Sequence, residues 1–505
     1  MELNAATDFL GTNELLCDTT AEQPVEGEFT IPDYQPEIFK IVKTKAEPVV
    51  VQKLAVGSRA TVDGYVRLTV IYQSGDDKRL FSLVQKLPFS KQVELKEAAG
   101  EHCRVLCQVT MSYLNCRAVN QRRIDVRGAA SLAVKVLSGA GGEFVGDVTG
   151  DGAQQRQATV SYVRQVAMAE KQFTLDEDLA VDLEGAETPS LLRCDAKAYP
   201  EQVSVEGGHV VVSGTANVSV ALDVSDADAY RIKRAAFNLP FNQVVDLDNA
   251  QESYNPVAQI SVLSCNAELG ENGAIEASIL LAAEVRAFES GAATLVSDAF
   301  STKYELNMTR DVAAVTREVS SVWNPAAVRQ VINKPVVGSR LIDYFITVGG
   351  VDYAADRGGA ARVSAVFSYM LCDAGEDIVC YDQPLEFDVE IDAPAGTPFM
   401  ALDVVFSGLE CVETEDTVTL KAEGHLYGTI MDVCKQEVVR AVSADTGSPK
   451  ARPDMALAIY YADEGEDLFE IAKTFSTSPL EIMQENNMDD GILEQKSMLL
   501  VPIVE

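Results

Sequence analysis

Histidine and tryptophan are nearly absent from this chain, with three of the former and one of the latter in 505 residues. His102, His209 and His425 each stand alone among strand-forming neighbours. They are too few and too scattered for a histidine metal centre or a Ser/His/Asp triad. No CxxC occurs among the ten cysteines, and Cys103-x3-Cys107 and Cys372-x7-Cys380 follow no metal spacing. Cys107, Cys265, Cys372 and Cys411 fall in alternating apolar runs, so reduced thiols acting as small core residues are expected. No apolar run approaches the about 18 residues of a membrane span. Met1–Asp8 lacks the basic start, apolar block and cleavage site of a secretory leader, so a cytoplasmic location is expected. Positive charge is scarce as well: 41 Lys and Arg against 77 Asp and Glu give a net −36, spread along the chain. That argues against nucleic acid or anionic lipid as a partner, since both need a basic surface.

No catalytic residue, cofactor or metal site emerges, and the chain reads as non-enzymatic. Glu413-Thr414-Glu415-Asp416 and Asp176-Glu177-Asp178 could supply paired carboxylates, but both fall where turns or linkers are expected. Asp147–Asp151, with Gly146, Gly150 and Gly152, lacks the spacing and closing glutamate of a calcium loop. Gly349-Gly350 and Gly358-Gly359 are not followed by Gly-Lys-Ser/Thr, so neither is a phosphate loop. Trp323, before Asn324-Pro325, reads as the anchor of a domain junction.

What the sequence does contain is strand. Val62–Tyr72 and Val203–Glu206 alternate with a period of two, and turns such as Glu206-Gly207-Gly208 separate the runs into hairpins. With 47% apolar residues, a chain this long should hold three or four separately cored domains. The pattern also repeats. Gly57 and Gly64 lead to Leu87-Pro88-Phe89, and Gly207 and Gly214 lead to Leu239-Pro240-Phe241, with Gly-to-Leu intervals of 23 and 25 residues. A looser third copy runs from Val363 to Gln383-Pro384-Leu385. Each is followed by a second hairpin: Val105–Val136, Ile260–Phe288 and Leu402–Ile430. The expected fold is mainly β, with three tandem antiparallel sandwich- or barrel-like repeats and a small C-terminal α/β unit. Breaks are expected at Ser138–Gln157, Met308–Asn324 and Ala444–Pro453. The resulting domains are 1–150, 158–312 and 318–443, then a tether at 444–456 and a last unit at 457–505. Ile38, Phe39, Ile41 and Val42 suit a helical turn after Pro32 and Pro36.

The last unit begins with an apolar strand, Leu457–Tyr461, and an acidic turn. A helix follows with Leu468, Ile471, Ala472 and Phe475 on one face. Ser478-Pro479 is placed as N-cap and first position of a second helix, and Ser497–Pro502 closes the unit as a strand. The Tyr-x4-Gly-x2-Leu opening, Ile471-Ala472, Asn486-Asn487 and the Gln495-Lys496…Pro502 close resemble a LysM domain. The resemblance implies a groove between two loops, made of Gly465, Glu466, Asp467 and Leu468 on one side. Asn487, Met488, Asp489, Asp490, Gly491 and Ile492 form the other. LysM grooves that hold N-acetyl-glycans have fewer acids here. From 457 to 505 there are eleven acidic and two basic residues, 2 − 11 = −9, which suits a basic protein surface better than a neutral sugar.

Gly27-Glu28-Phe29-Thr30-Ile31-Pro32-Asp33-Tyr34-Gln35-Pro36-Glu37-Ile38, followed by Val-x-Gly and Leu-Pro-Phe, resembles the SPOCS repeat. SPOCS repeats ending in one LysM unit are the architecture of the SipL-like family of clostridial spore-coat morphogenetic proteins. The resemblance implies an adaptor in the mother-cell cytosol that docks on the spore-coat morphogenetic ATPase around the forespore, with other coat proteins as further partners. The competing expectation is a peptidoglycan- or chitin-binding protein.

Overall fold

A computed structural model describes residues 3–503 except 76–77, 101–102, 151, 184–188, 226–229, 271–272, 355–358, 393–398, 451–454, 489–490, 492 and 494. The same six-strand plan occurs three times. The first unit comprises β1 (Asn4–Thr30), β2 (Ile38–Val56), β3 (Arg59–Ser74), β4 (Leu80–Glu94), β5 (Cys103–Asn120) and β6 (Arg123–Thr149). The second comprises β7 (Ala153–Leu179), β8 (Ser190–Glu206), β9 (His209–Asp223), β10 (Ile232–Val245), β11 (Asn255–Leu269) and β12 (Ile275–Ser301). The third comprises β13 (Tyr304–Asn333), β14 (Arg340–Ala354), β15 (Ala360–Cys372), β16 (Ile378–Glu390), β17 (Phe399–Glu413) and β18 (Thr417–Pro449). In each unit, strands two to four form a meander, and the first, fifth and sixth form a second antiparallel sheet with the sixth in the middle. The chain is thus mainly β, with repeated three-stranded sheets, and the expected hairpins at Val105–Val136, Ile260–Phe288 and Leu402–Ile430 are present.

The repeated motif has a steric cause. Gly64 on β3 lies opposite Phe89 on β4, and Gly214 on β9 lies opposite Phe241 on β10. A Cβ at Gly64 would stand 2.2 Å from the Val49 carbonyl and 2.7 Å from the Phe89 ring, and one at Gly214 would be equally crowded. The glycine therefore lets a phenyl ring lie flat across the middle strand. In the third unit the opposed pair is Ala365 and Leu385. A bulge sits beside this position in all three units, after Val50, Pro200 and Val348. In the third unit that bulge carries Gly349, so the glycine has moved one strand over and a smaller side chain replaces the ring.

Three stretches expected as breaks are strand. Residues 138–149 lie in β6, 153–157 in β7, 308–324 in β13 and 444–449 in β18, so the strand blocks run 4–149, 153–301 and 304–449. Residues 451–454 of the expected tether lie outside the described residues. The glycines that suggest a linker serve close approach instead. A Cβ at Gly141 would meet the Phe9 ring at 2.1 Å, and Tyr162 lies across both Gly11 and Gly291, where Cβ atoms would meet it at 2.7 and 2.5 Å. Ile38–Val42 likewise enters β2 and forms no helical turn: Ile38 is buried and Phe39 exposed, the alternation of an extended chain.

The outer halves of the six longest strands, paired β1 with β6, β7 with β12 and β13 with β18, form three ribbons. They share one core of Leu10, Phe144, Tyr162, Ala293, Leu295, Val315 and Val438, with residues from all three units. Val145, Val148, Val296, Ala299 and Val439 extend it. A second three-way core joins the meanders through Ile71, Leu80, Leu192, Ile342, Phe345 and Met370. Each fully buried side chain of this size contributes about 1.5–3 kcal/mol, so the units hold one another. Trp323 is a junction residue, its ring 4.7 Å from His425 and 4.8 Å from Tyr199 of the second unit.

Buried ion pairs fix how the units meet. Lys45 of the first unit reaches Asp195 of the second at 2.8 Å, and Arg193 bridges Asp195 at 2.9 Å and the fully buried Asp343 of the third at 3.2 Å. Burial alone would raise the Asp195 carboxyl, but Lys45, Arg193 and Arg67 hold it below its usual range. Breaking such a pair strands a charge in a dry site, which penalises any other packing of the units. Lys53 of the first unit meets Glu284 of the second at 3.1 Å. Against burial, Arg286 and Lys53 draw Glu284 from 4.5 down to about 2.

Two outcomes are expected. Gly64→Ala should destabilise the fold by about 1–3 kcal/mol in chemical denaturation. Adding Phe89→Leu should recover part of that loss, giving a favourable coupling of at least about 0.5 kcal/mol; strict additivity would remove the steric account. Glu284 titrates lower in the folded chain, so its stabilising effect is complete above pH 4.5 and is lost as the pH falls towards about 2. Melting temperatures from pH 5 to pH 2 should fall more steeply for the natural chain than for Glu284→Gln, the window being worth roughly 3 kcal/mol.

Candidate functional site

After the third unit come β19 (Leu457–Ala462), α1 (Leu468–Phe475), α2 (Pro479–Asn486) and β20 (Ser497–Pro502), with β19 and β20 antiparallel. This is the strand–helix–helix–strand order expected. Leu468, Phe469, Ile471 and Ala472 turn inward with Ile482, Leu499 and Val501. Ser478 is the N-cap of α2 with Pro479 following, although its side chain makes no capping bond. Asn486 ties α2 to β20: its Nδ2 donates to the Leu500 carbonyl at 2.7 Å, and Leu500 N–H donates to its Oδ1 at 2.8 Å.

The loop before α1 and the loop before β20 lie side by side. Gly465 N–H donates to the Leu493 carbonyl at 2.8 Å, and Leu468 N–H to the Gly491 carbonyl at 2.9 Å. Gly465 turns at φ +84 with open space around it. Glu466 accepts from the Tyr460 hydroxyl at 3.2 Å, and burial together with that carboxylate pushes the Tyr460 phenol up. Asp467 caps α1, its Oδ1 accepting from Phe469 N–H at 2.8 Å. Asn487 is exposed and ends α2 in the left-handed conformation at φ 52. Met488 is half-buried against the unit's core, as Gly491 is half-buried in its loop. Asp489, Asp490 and Ile492 lie outside the described residues. Leu468 differs from the expected lip position. It is only 1% exposed, because the first turn of α1 points it into the core, so it holds the unit together and is not open to a partner.

One lip acid, Asp467, has a cation of its own. Arg156 at the start of β7 pairs with Asp467, approaches Glu470 at 3.4 Å, and lies 4.5 Å from the Phe469 ring centre. Phe469 meets Phe300 of β12 edge to face at 5.2 Å. Lys473 pairs with Asp298, and Lys450 Nζ donates to Ser476 Oγ at 3.2 Å. The unit is therefore seated on the tip of the second ribbon by one aromatic contact and the ion pairs of Arg156 and Lys473, with Lys450 from the end of the third unit adding a hydrogen bond. None of these partners was visible as a site in sequence. Arg156 is a single arginine in a strand, 311 residues from Asp467, and only the fold brings the two together.

Outside this seat, the face of β19 and β20 turned away from the helices is apolar and open. Leu457, Ile459 and Tyr461 alternate along β19, and Met498 lies beside Tyr461 on β20. Their exposures are 45%, 59%, 77% and 56%.

Residues 37–119 match the family model described as SipL, SPOCS domain. The match spans β2 to β5 and includes the Gly64–Phe89 pair and Leu87-Pro88-Phe89. No curated protein and no solved structure matches the chain. Among the described residues no group of three or more His, Cys, Asp or Glu could hold a metal, and no helix is long and apolar enough to cross a membrane.

Phe300→Ala should unseat the C-terminal unit more than Arg156→Ala does. The first removes a ring 3% exposed, worth about 3 kcal/mol or more; the second removes a half-exposed ion pair worth about 1 kcal/mol or less. Limited proteolysis near residue 450 should accelerate in that order, and the reverse order would place the seat in the ion pairs.

Proposed function

We propose that this chain is a non-enzymatic adaptor of spore-coat assembly. Its three β units form a rigid body, and its C-terminal unit, of the LysM type, is the head that docks on the coat basement-layer ATPase at the forespore surface. The match of the first unit to the SipL SPOCS domain supports a sporulation-related role. The observation that carries the docking reading is the open stripe of Leu457, Ile459, Tyr461 and Met498 on a unit of net −9. Large exposed apolar side chains on one face mark an interaction surface. Glu464, exposed beside the stripe, favours a partner with a basic residue at its rim, whereas Asp463 already pairs with Lys496 at 2.7 Å. A site in the mother-cell cytosol belongs to this reading.

The glycan reading has less support. A sugar held between the two loops would use backbone groups that already bond across them at Gly465 and Leu468, and would lie against Asp467, which is engaged by Arg156.

Calorimetry with the full chain separates the readings. Binding to the ATPase should be measurable, and Tyr461→Asp should weaken it about tenfold or more without moving the melting curve. Sub-millimolar binding of chitin or peptidoglycan oligomers, with no binding of the ATPase, would replace this proposal by the glycan one.

A further inference from the structure

Cys194 on β8 and Cys265 on β11 place their sulfurs 3.3 Å apart in the core of the second unit, where they are 4% and 7% exposed. The two are edge strands of different sheets of that unit and run close to each other, so the thiols meet where the sheet edges adjoin. No other thiol pair is in contact among the described residues. The surroundings are not those of inert core cysteines. The Arg67 guanidinium, from the first unit, donates to the Cys194 carbonyl, and Lys45 and Asp195 continue the charged cluster. The hydrogen bond between the two sulfurs, in which either can be the donor, and the nearby Arg67 hold the Cys265 thiol below its usual range despite burial. The same bond and burial raise the Cys194 thiol.

We propose that Cys194 and Cys265 are a peroxide-responsive thiol pair that closes to a disulfide and staples the two sheets of the second unit together. Cys265 is the attacking sulfur. Its thiolate takes an oxygen from hydrogen peroxide, the O–O bond breaks and hydroxide leaves, forming a sulfenic acid. The Cys194 sulfur then attacks the Cys265 sulfur. The S–S bond forms, the S–O bond breaks, and the second hydroxide leaves with the remaining thiol proton as water. In sum two thiols and one peroxide give one disulfide and two waters, and the two electrons lost by sulfur reduce the peroxide. The sulfurs need to close only from 3.3 Å to about 2 Å. The bond would span 71 residues of chain, a long loop whose closure restricts the unfolded state.

The test uses the full chain, treated with hydrogen peroxide, alkylated in denaturant and mapped by mass spectrometry without reduction. A linked pair of peptides bearing Cys194 and Cys265, two hydrogens lighter than their sum and separated by a thiol reductant, is expected. The melting temperature should rise by about 5 °C and return on reduction. Cys194→Ser and Cys265→Ser should each abolish both effects; if either fails to fold, the peptide map of the natural chain decides alone. Alkylation of both cysteines after peroxide, oxidation of Cys265 to sulfinic acid without the link, or a link through other cysteines would overturn the proposal.

Discussion

Three pairs of long strands can share one apolar core only if their backbones approach closely, and that approach depends on residues without a side chain. Tyr162 lies across Gly11 and Gly291, and Phe9 across Gly141, so each ring fills the space that a Cβ would need. Around those contacts Leu10, Phe144, Leu295, Val315 and Val438 close a core to which every unit contributes. The other inter-unit features follow from that meeting. It brings the meanders together into a second core, and it places Lys45, Arg193 and Asp343 where a mismatched packing would leave a charge unpaired. It also directs the tip of the second ribbon towards the C-terminal unit.

Much of this was legible from local pattern. Alternation and the repeat gave β3, β4, β8, β9, β10, β15 and β16, though not β2 or β14, and the hairpins had visible turns. The C-terminal unit could be read because its apolar spacing changes from two to three and four and back within about fifty residues. Two errors of reading share one cause. The glycines between Ser138 and Gln157 suggested a linker, and the prolines before Ile38 a helical turn. In both, a residue that permits several local conformations was assigned one, and contacts distant in sequence select another. The third repeat looked loose for a related reason. Ala365, Leu385 and Gly349 together solve the packing problem that Gly64 and Phe89 solve in the first unit, but no single position is shared.

The candidate site shows the same division. Which residues form the two loops was readable, because the helices and strands of the unit fix them. What the loops face was not. Leu468 has the apolar character of an anchor, but it lies on the helix face that its spacing with Ile471 and Ala472 marks, and that face is buried. The acids looked available to a partner, yet Asp467 and Glu470 are met by Arg156, and the open apolar surface lies on the other side of the ribbon, at Ile459 and Tyr461. A residue's chemistry is written in the sequence, whereas its neighbour comes from topology.

The three units repeat one plan, but the seat for the C-terminal unit is built once, from Arg156, Asp298 and Phe300 of the second ribbon. A body with threefold repetition thus carries a single arm at a fixed place. On the docking reading proposed above its valence is one, since each chain offers a single head, set against the second ribbon.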